Sequence, residues 1–251
     1  MKIIFIGTGS GKTSLKRNHS SFIITNRRYK LLVDAGDGIS KALLMAKVSY
    51  NSINGILITH LHADHYAGLP SLIVQMKMNK RREQLDLFVH KDIGGKVRDF
   101  IHHSYLFEEK LNFKLNVIDL KENAEVAVGE KFSVKFRQNS HLDEYIKFDH
   151  TKRLKFPCGS FLFNVNNINI FYSGDIGSER DLRLFDDYKI NYAISETTHV
   201  EMNEIINYYL NAKPKILFLT HIGEEAKIRN KIQGTYQDKI IAAYDGLTVS
   251  I

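Results

Sequence analysis

The sequence predicts an α/β protein built from two packed β-sheets with helices on their outer faces. Three features carry that expectation: short apolar runs rich in β-branched residues recur along the whole 251-residue chain, some are paired by hairpin signals, and amphipathic helical patterns are interspersed among them. The chain is longer than a typical single domain, but layered two-sheet folds reach this length around one core. With three prolines, no low-complexity stretch, no fixed-period repeat and no linker, residues 1–251 are expected to form one domain.

In chain order, strands are expected at MKIIFI (1–6), SFIIT (21–25), KLLVD (30–34), GILIT (55–59), LDLFVH (85–90) and KLNVIDL (114–120). They continue at FSVKFRQ (132–138), SFLFNV (160–165), INIFYS (168–173), YAISE (192–196), KILFLT (215–220) and KIIAAYD (239–245). Helical periodicity marks ISKALLMAKV (39–48), GLPSLIVQMKMNK (68–80), GGKVRDFIHHSYLF (94–107), VEMNEIINYYLNA (200–212) and EEAKIRNKI (224–232). The polar NRR between SFIIT and YKLLVD, and Asn166-Asn167 inside NVNNINIF, read as hairpin turns, the second because asparagine tolerates positive φ.

Composition bounds the function without naming it. A net charge of +7 favours anionic substrates, with the densest groups at Lys80, Arg81, Arg82 and at Lys152, Arg153, Lys155. RNA is compatible with that charge, although Lys80–Arg82 follow a helical run, where the helix dipole alone favours cations. No run approaches the roughly 18 apolar residues that span a membrane, and MKIIFIG is too short and glycine-ended for a signal peptide. The single cysteine, Cys158, excludes an internal disulfide and a thiolate metal cluster. The expectation is a cytoplasmic protein with no membrane partner; a homodimer is left open.

IGTGSGKTS (6–14) invites comparison with a phosphate-binding loop, but Ile6 occupies the place of the first glycine and a hairpin follows where that motif requires a helix. The glycines are instead expected to make a tight turn after the first strand. The chemistry is carried by GILITHLHADHYAGLP, in which His60, His62, Asp64 and His65 arrive within six residues of a strand end. Side chains at i and i+2 of an extended segment point the same way, so His60 and His62 can converge on one ion. A turn toward the following helix lets Asp64 and His65 face a second. His141, Asp175 and His221 also stand just past apolar strand patterns. Imidazoles suit zinc, iron or nickel, and a carboxylate can bridge two cations held about 3.5–4 Å apart.

His60-Leu61-His62-Ala63-Asp64-His65 matches the H-x-H-x-D-H hallmark of the metallo-β-lactamase superfamily, which the sequence resembles over nearly its whole length. Within it, the chain looks most like the ribonuclease Z branch of phosphodiesterases, through GTGSGKTSLKRNHSS, LLVDAGDG, THLHADHYAGLP and AAYDGLTVSI. The resemblance implies a four-layer αββα sandwich and a dinuclear centre. His60, His62 and His141 would bind one ion, Asp64, His65 and His221 the other, and Asp175 would bridge them, with Asp34 positioning the histidine loop. Two divalent ions are implied, zinc first, with manganese and iron compatible. A hydroxide generated between them would attack phosphorus. In place of the branch's His-Glu-Ala-Thr motif the chain has Ser195-Glu196-Thr197-Thr198, so His199, oriented by Glu196, is the replacement candidate for the general acid. Asp64 and His199 are the residues expected to matter most for turnover. His150, Tyr145 and Phe148 are weaker candidates for the pocket mouth.

The expected function is hydrolysis of small, cyclic or nucleic-acid-end phosphodiesters. The alternatives are transfer-RNA 3′-processing endonuclease activity and, in another class, lactone, thioester or β-lactam hydrolysis. Only 34 positions separate His141 from Asp175, too few for the transfer-RNA-gripping arm of long ribonuclease Z enzymes, so precursor transfer RNA is expected to be the poorer substrate.

Overall fold

Among the described residues the apolar runs fold into two seven-stranded sheets. The computed structural model describes residues 1–223, 228, 231–232 and 236–251. The chain divides into two units, Met1–Lys121 with Tyr244–Ile251, and Glu122–Ala243, each holding one sheet.

In the first unit, β1 (Lys2–Gly7), β2 (Ser21–Asn26) and β3 (Tyr29–Val33) form an antiparallel meander. β4 (Gly55–Leu57), β5 (Leu85–His90) and β6 (Leu115–Leu120) then add in parallel to β3. Parallel strands need crossovers, which here contain α1 (Ile39–Met45), α2 (Ala63–Tyr66), α3 (Leu69–Met78) and α4 (Gly94–His103). Cross-strand register lines up Ile23, Leu32, Ile56, Leu87 and Val117 in one row. That row lies in the same apolar cluster as Leu43 of α1, Ile73 of α3 and Val97 of α4. Each fully buried Leu or Ile of this kind contributes about 1.5–3 kcal/mol.

The second unit repeats the plan. β7 (Glu125–Gly129), β8 (Phe132–Gln138), β9 (Gly159–Val165) and β10 (Ile168–Tyr172) are antiparallel. β11 (Tyr192–Ser195), β12 (Ile216–Leu219) and β13 (Ile240–Ala242) are parallel to β10. Leu162, Phe171, Ala193, Leu217 and Ile240 form the row that meets Ile205 and Tyr208 of α5 (Met202–Ala212).

Two strands escape the periodicity. β7 is an edge strand whose residues are mostly accessible, and β14 (Thr248–Ser250), antiparallel to β1, is a short exposed edge. Neither buries enough side chain to leave a pattern. The helical pattern at 94–107 stops at His103, and the one expected over EEAKIRNKI lies largely outside the described residues. The opening glycines serve close approach rather than positive φ: a β-carbon on Gly7 would stand 1.9 Å from the His19 carbonyl oxygen. No helix follows this loop; β2 is the next element. Arg81 departs from the expected surface cation. It is buried, its guanidinium donates to the carbonyls of Asn51, Ile53, Glu83 and Gln84, and burial lowers its pKa. It ties the end of α3 to the approach of β4 and is unavailable to a substrate.

Candidate metal centre

In both units the candidate donors stand beyond the ends of strands, at or near the carboxyl ends of the parallel runs, where open α/β sheets bind ligands. In the first unit, β4 ends at Leu57 and the chain runs through Thr59 and His60 into α2, which carries Asp64 and His65. His60 and His62 bring ring nitrogens within 4.8 Å of each other, as do Asp64 and His65 their donor atoms. The His65 Nε2 to Asp64 Oδ2 distance is 3.3 Å. The glycine loop reaches this place too, since a β-carbon on Gly11 would lie 3.0 Å from Asp64 Oδ2.

Asp34 organises these histidines. It follows β3 in a left-handed conformation, φ 62°, which aspartate tolerates better than most residues. Its Oδ1 accepts the Thr59 amide at 2.9 Å, and its Oδ2 accepts the Thr59 hydroxyl at 3.0 Å. The same Oδ2 lies 2.8 Å from His65 Nδ1, and Thr59 Oγ1 lies 3.0 Å from His60 Nδ1. Two imidazoles are thus held by Nδ1, directly or through one hydroxyl, which leaves Nε2 as the donor atom. Burial pushes the Asp34 carboxyl above the usual carboxylate range, opposed by His65 and Thr59.

In the second unit, His141 follows β8, Asp175 follows β10 and His221 follows β12. Asp175 Oδ2 lies 3.3 Å from His221 Nε2 and 3.9 Å from His141 Nε2, so one buried carboxylate faces two imidazoles. His221 Nδ1 lies 3.1 Å from Thr198 Oγ1. Glu196, fully buried past β11, takes the amides of Thr198 and His199 on Oε2 at 2.6 and 3.0 Å and faces His199 Nδ1 with Oε1 at 3.0 Å. The exposed His199 ring stands 4.7 Å from that of His141 and 5.6 Å from that of His221, centroid to centroid. Ser195 is buried, its hydroxyl bonded to the Glu196 carbonyl.

Two donors at about 2.0–2.1 Å on a tetrahedral zinc ion are about 3.3 Å apart. The Asp64–His65 and Asp175–His221 pairs both stand at 3.3 Å, so the residues present fit a metal of this kind. His150, Tyr145 and Phe148 lie exposed in or just after the 3-10 turn Asp143–Phe148. Periodicity missed Thr59, Thr198, Asn139 and Asp181, all of which bond to donor-bearing segments. Only Asp181 left a signal, the capping-box pattern Ser178-x-x-Asp181.

The model of the anti-Pycsar protein Apyc1 family matches residues 1–238. The chain belongs to the Apyc1 family. It is similar to the Apyc1 protein of Bacillus phage BSP38, with 26% identity over 241 residues and 89% of each chain covered. It is also similar to ribonuclease Z of Methanococcus aeolicus, 33% identical over 134 residues, 53% of this chain and 41% of that protein. It therefore spans less than half the length of the ribonuclease Z relatives it matches. The metallo-β-lactamase fold protein YhfI from Bacillus subtilis shares its fold, with a TM-score of 0.76, 18% identity and coverage of 99% and 98% of the two chains. The expected metallo-β-lactamase fold is thus the fold of this Apyc1-family chain, and the family match includes every residue from His60 to His221. Among the described residues no helix is long and apolar enough to cross a membrane.

Proposed function

We propose that this Apyc1-family chain is a metal-dependent phosphodiesterase that holds two divalent ions, zinc in the first instance, and hydrolyses small or cyclic phosphodiesters. The observation that carries the reading is that one oxygen of Asp175 faces two imidazoles, at 3.3 and 3.9 Å, as expected of a carboxylate shared by two ions. His60, His62 and His141 with Asp175 would hold one ion, and Asp64, His65 and His221 with Asp175 the other. When bound, such ions supply a water of lowered pKa and neutralise charge on the phosphoryl oxygens.

The chain's own groups account for the remaining work. Asp34 holds His65 directly and His60 through Thr59. His199 is the proton donor to the leaving oxygen, its ring oriented by Glu196, whose Oε1 stands 3.0 Å from Nδ1. Substrate size follows from the 33 positions between His141 and Asp175, which hold the 3-10 turn Asp143–Phe148 and the hairpin β9–β10. Without a long arm, few remote phosphate contacts are available to RNA. A family named for countering Pycsar, in which a phage protein aligns over 89% of its length, supports a small target over precursor transfer RNA.

The second reading, transfer-RNA 3′-processing, is favoured by the 33% identity to ribonuclease Z. The test compares kcat/KM for a cyclic nucleotide, bis(p-nitrophenyl) phosphate, a precursor transfer RNA, a lactone and a β-lactam, before and after chelation and refilling with zinc, manganese or iron. Chelation should abolish cyclic-nucleotide hydrolysis and refilling restore it. Efficient, site-specific cleavage of the precursor alone would overturn the choice of substrate, and hydrolysis of the lactone or β-lactam alone would overturn the phosphodiesterase reading.

A further inference from the structure

His141 and Asp175 belong to strands that are not neighbours. The order β10-β9-β8 places β9 between them, and with strands about 4.8 Å apart the two strand ends are about 10 Å apart. Yet His141 Nε2 and Asp175 Oδ2 stand 3.9 Å apart. The loops beyond β8 and β10 must therefore lean together across the end of β9, and two buried side chains join them.

Asn139 does so next to the sheet. Its Nδ2 donates to the carbonyls of Asp175 at 2.9 Å and Ser173 at 3.3 Å, and its Oδ1 accepts the His141 amide at 3.2 Å. Asp181 joins them farther along. Its Oδ2 accepts the Ser140 hydroxyl at 2.7 Å and amide at 3.2 Å, and the amides of Gly177 at 2.9 Å and Ser178 at 3.2 Å. The contact is tight: a β-carbon on Gly177 would stand 2.5 Å from the Ser140 carbonyl oxygen and 2.6 Å from its hydroxyl.

We propose that Asp181 and Asn139 are positioning residues that clamp the His141 loop to the Asp175 loop and so set the donor spacing on which metal binding depends. The inference rests on the proposed metal centre. It differs from a general stabilising role in one respect. All four bonds to Asp181 end on a single oxygen, so an amide oxygen in its place can accept them all, whereas loss of the oxygen removes this bridge and leaves the loops joined through Asn139 alone.

The experiment measures zinc stoichiometry and affinity by chelator competition, together with the melting temperature of the metal-free protein, for wild type, Asp181→Ala, Asp181→Asn, Gly177→Ala and Arg180→Ala. Partners that orient metal ligands are typically worth about 10–100-fold in affinity. Asp181→Ala and Gly177→Ala should weaken one or both ions by about that factor, Asp181→Asn should stay within about threefold of wild type, and Arg180→Ala, on the exposed side of the same turn, should change nothing. Gly177→Ala leaves every acceptor in place, so a loss of affinity there reports loop spacing even where Asp181→Ala fails to fold. Wild-type affinity in Gly177→Ala and in a folded Asp181→Ala, or an Asp181→Asn as weak as Asp181→Ala, would overturn the clamp while leaving the metal reading intact. A wild type that binds no metal would overturn both.

Discussion

Replacing Asp34 by Asn should separate metal binding from folding. In the wild type Asp34 accepts three hydrogen bonds in a fully buried setting, two from Thr59 and one from His65 Nδ1. Asn can satisfy the Thr59 amide only by placing its carbonyl oxygen there, because a main-chain N–H cannot reverse. Its NH2 group then points at the Thr59 hydroxyl, which can accept, and at His65 Nδ1. His65 must become an acceptor at Nδ1 and carry its proton on Nε2, the nitrogen that faces Asp64 at 3.3 Å. A protonated Nε2 cannot ligate a metal. Restoring the useful tautomer would set two donors against each other in a buried site, at a cost of about 1–3 kcal/mol, which is about 5–150-fold in affinity. The metal-free melting temperature should change little, since the cavity stays filled. Asp34→Ala should differ, leaving the Thr59 amide and His65 Nδ1 without acceptors. That is about 2–4 kcal/mol after relief of the buried carboxylate, or about 4–16 °C for a chain of this size. Zinc titration, thermal melts and 15N chemical shifts of the His65 ring nitrogens read all three quantities. Wild-type affinity in Asp34→Asn, with Nε2 still unprotonated, would refute the reasoning.

Asp64→Ala should reduce bound zinc by one ion per chain and cut phosphodiester turnover at least about 100-fold, with the metal-free melt within about 2 °C of wild type because the side chain stands in the first turn of the short helix α2, outside the apolar core; elemental analysis and kinetics check it. His199→Ala should lower kcat about 100-fold or more without changing metal content, and the alkaline limb of its pH–rate profile should disappear; an unaltered profile would remove His199 as the acid. Asp187 offers a pH test away from the site. Its hydrogen bond and ion pair with Arg137 hold its carboxyl below the usual range, so the pair stabilises the folded state above the unfolded carboxylate pKa of about 3.9 and loses that contribution as pH falls through the lower folded value. The side chain is 54% exposed, which limits the effect to about 1 kcal/mol. Urea melts of wild type and Asp187→Asn should accordingly differ at pH 7 and converge near pH 2; a gap unchanged at low pH would contradict the assignment.

Much of the first unit's site was legible because its donors are contiguous. His60, His62, Asp64 and His65 directly follow one apolar strand, and both the strand and the ligand types can be read without tertiary information. His141, Asp175 and His221 were readable only as polar residues at strand ends, since nothing in their spacing says which strands adjoin. The groups that hold donors in place stayed hidden because they act through main-chain amides and carbonyls, which every residue has. Asn139 looks like any loop asparagine, and Arg81 like any cation after a helix, until the carbonyls around each are known. The strands β7 and β14 were lost for the opposite reason: their residues are accessible, and burial is what writes periodicity into a strand.

The two units meet the same demand, a fixed imidazole at a strand end, by different means, and the sheet order explains why. β3 and β4 are adjacent and parallel, so a residue just past β3 is one strand spacing, about 4.8 Å, from the segment past β4. One side chain covers that distance, and Asp34 alone fixes Thr59 and, through it or directly, two histidines. β8 and β10 have β9 between them, so the loops beyond them must be bridged across the end of a third strand. The work is therefore divided between Asn139 and Asp181, each bonded to both loops. Sensitivity to substitution should follow the same division. Loss of Asp34 removes at once the one carboxylate on which both Thr59 and His65 depend, whereas loss of either Asn139 or Asp181 leaves the other bridge standing, so their combined loss should exceed the sum of the single effects. A double-mutant cycle on zinc affinity measures that excess directly; strict additivity would mean that the two bridges hold independent parts of the site rather than one spacing.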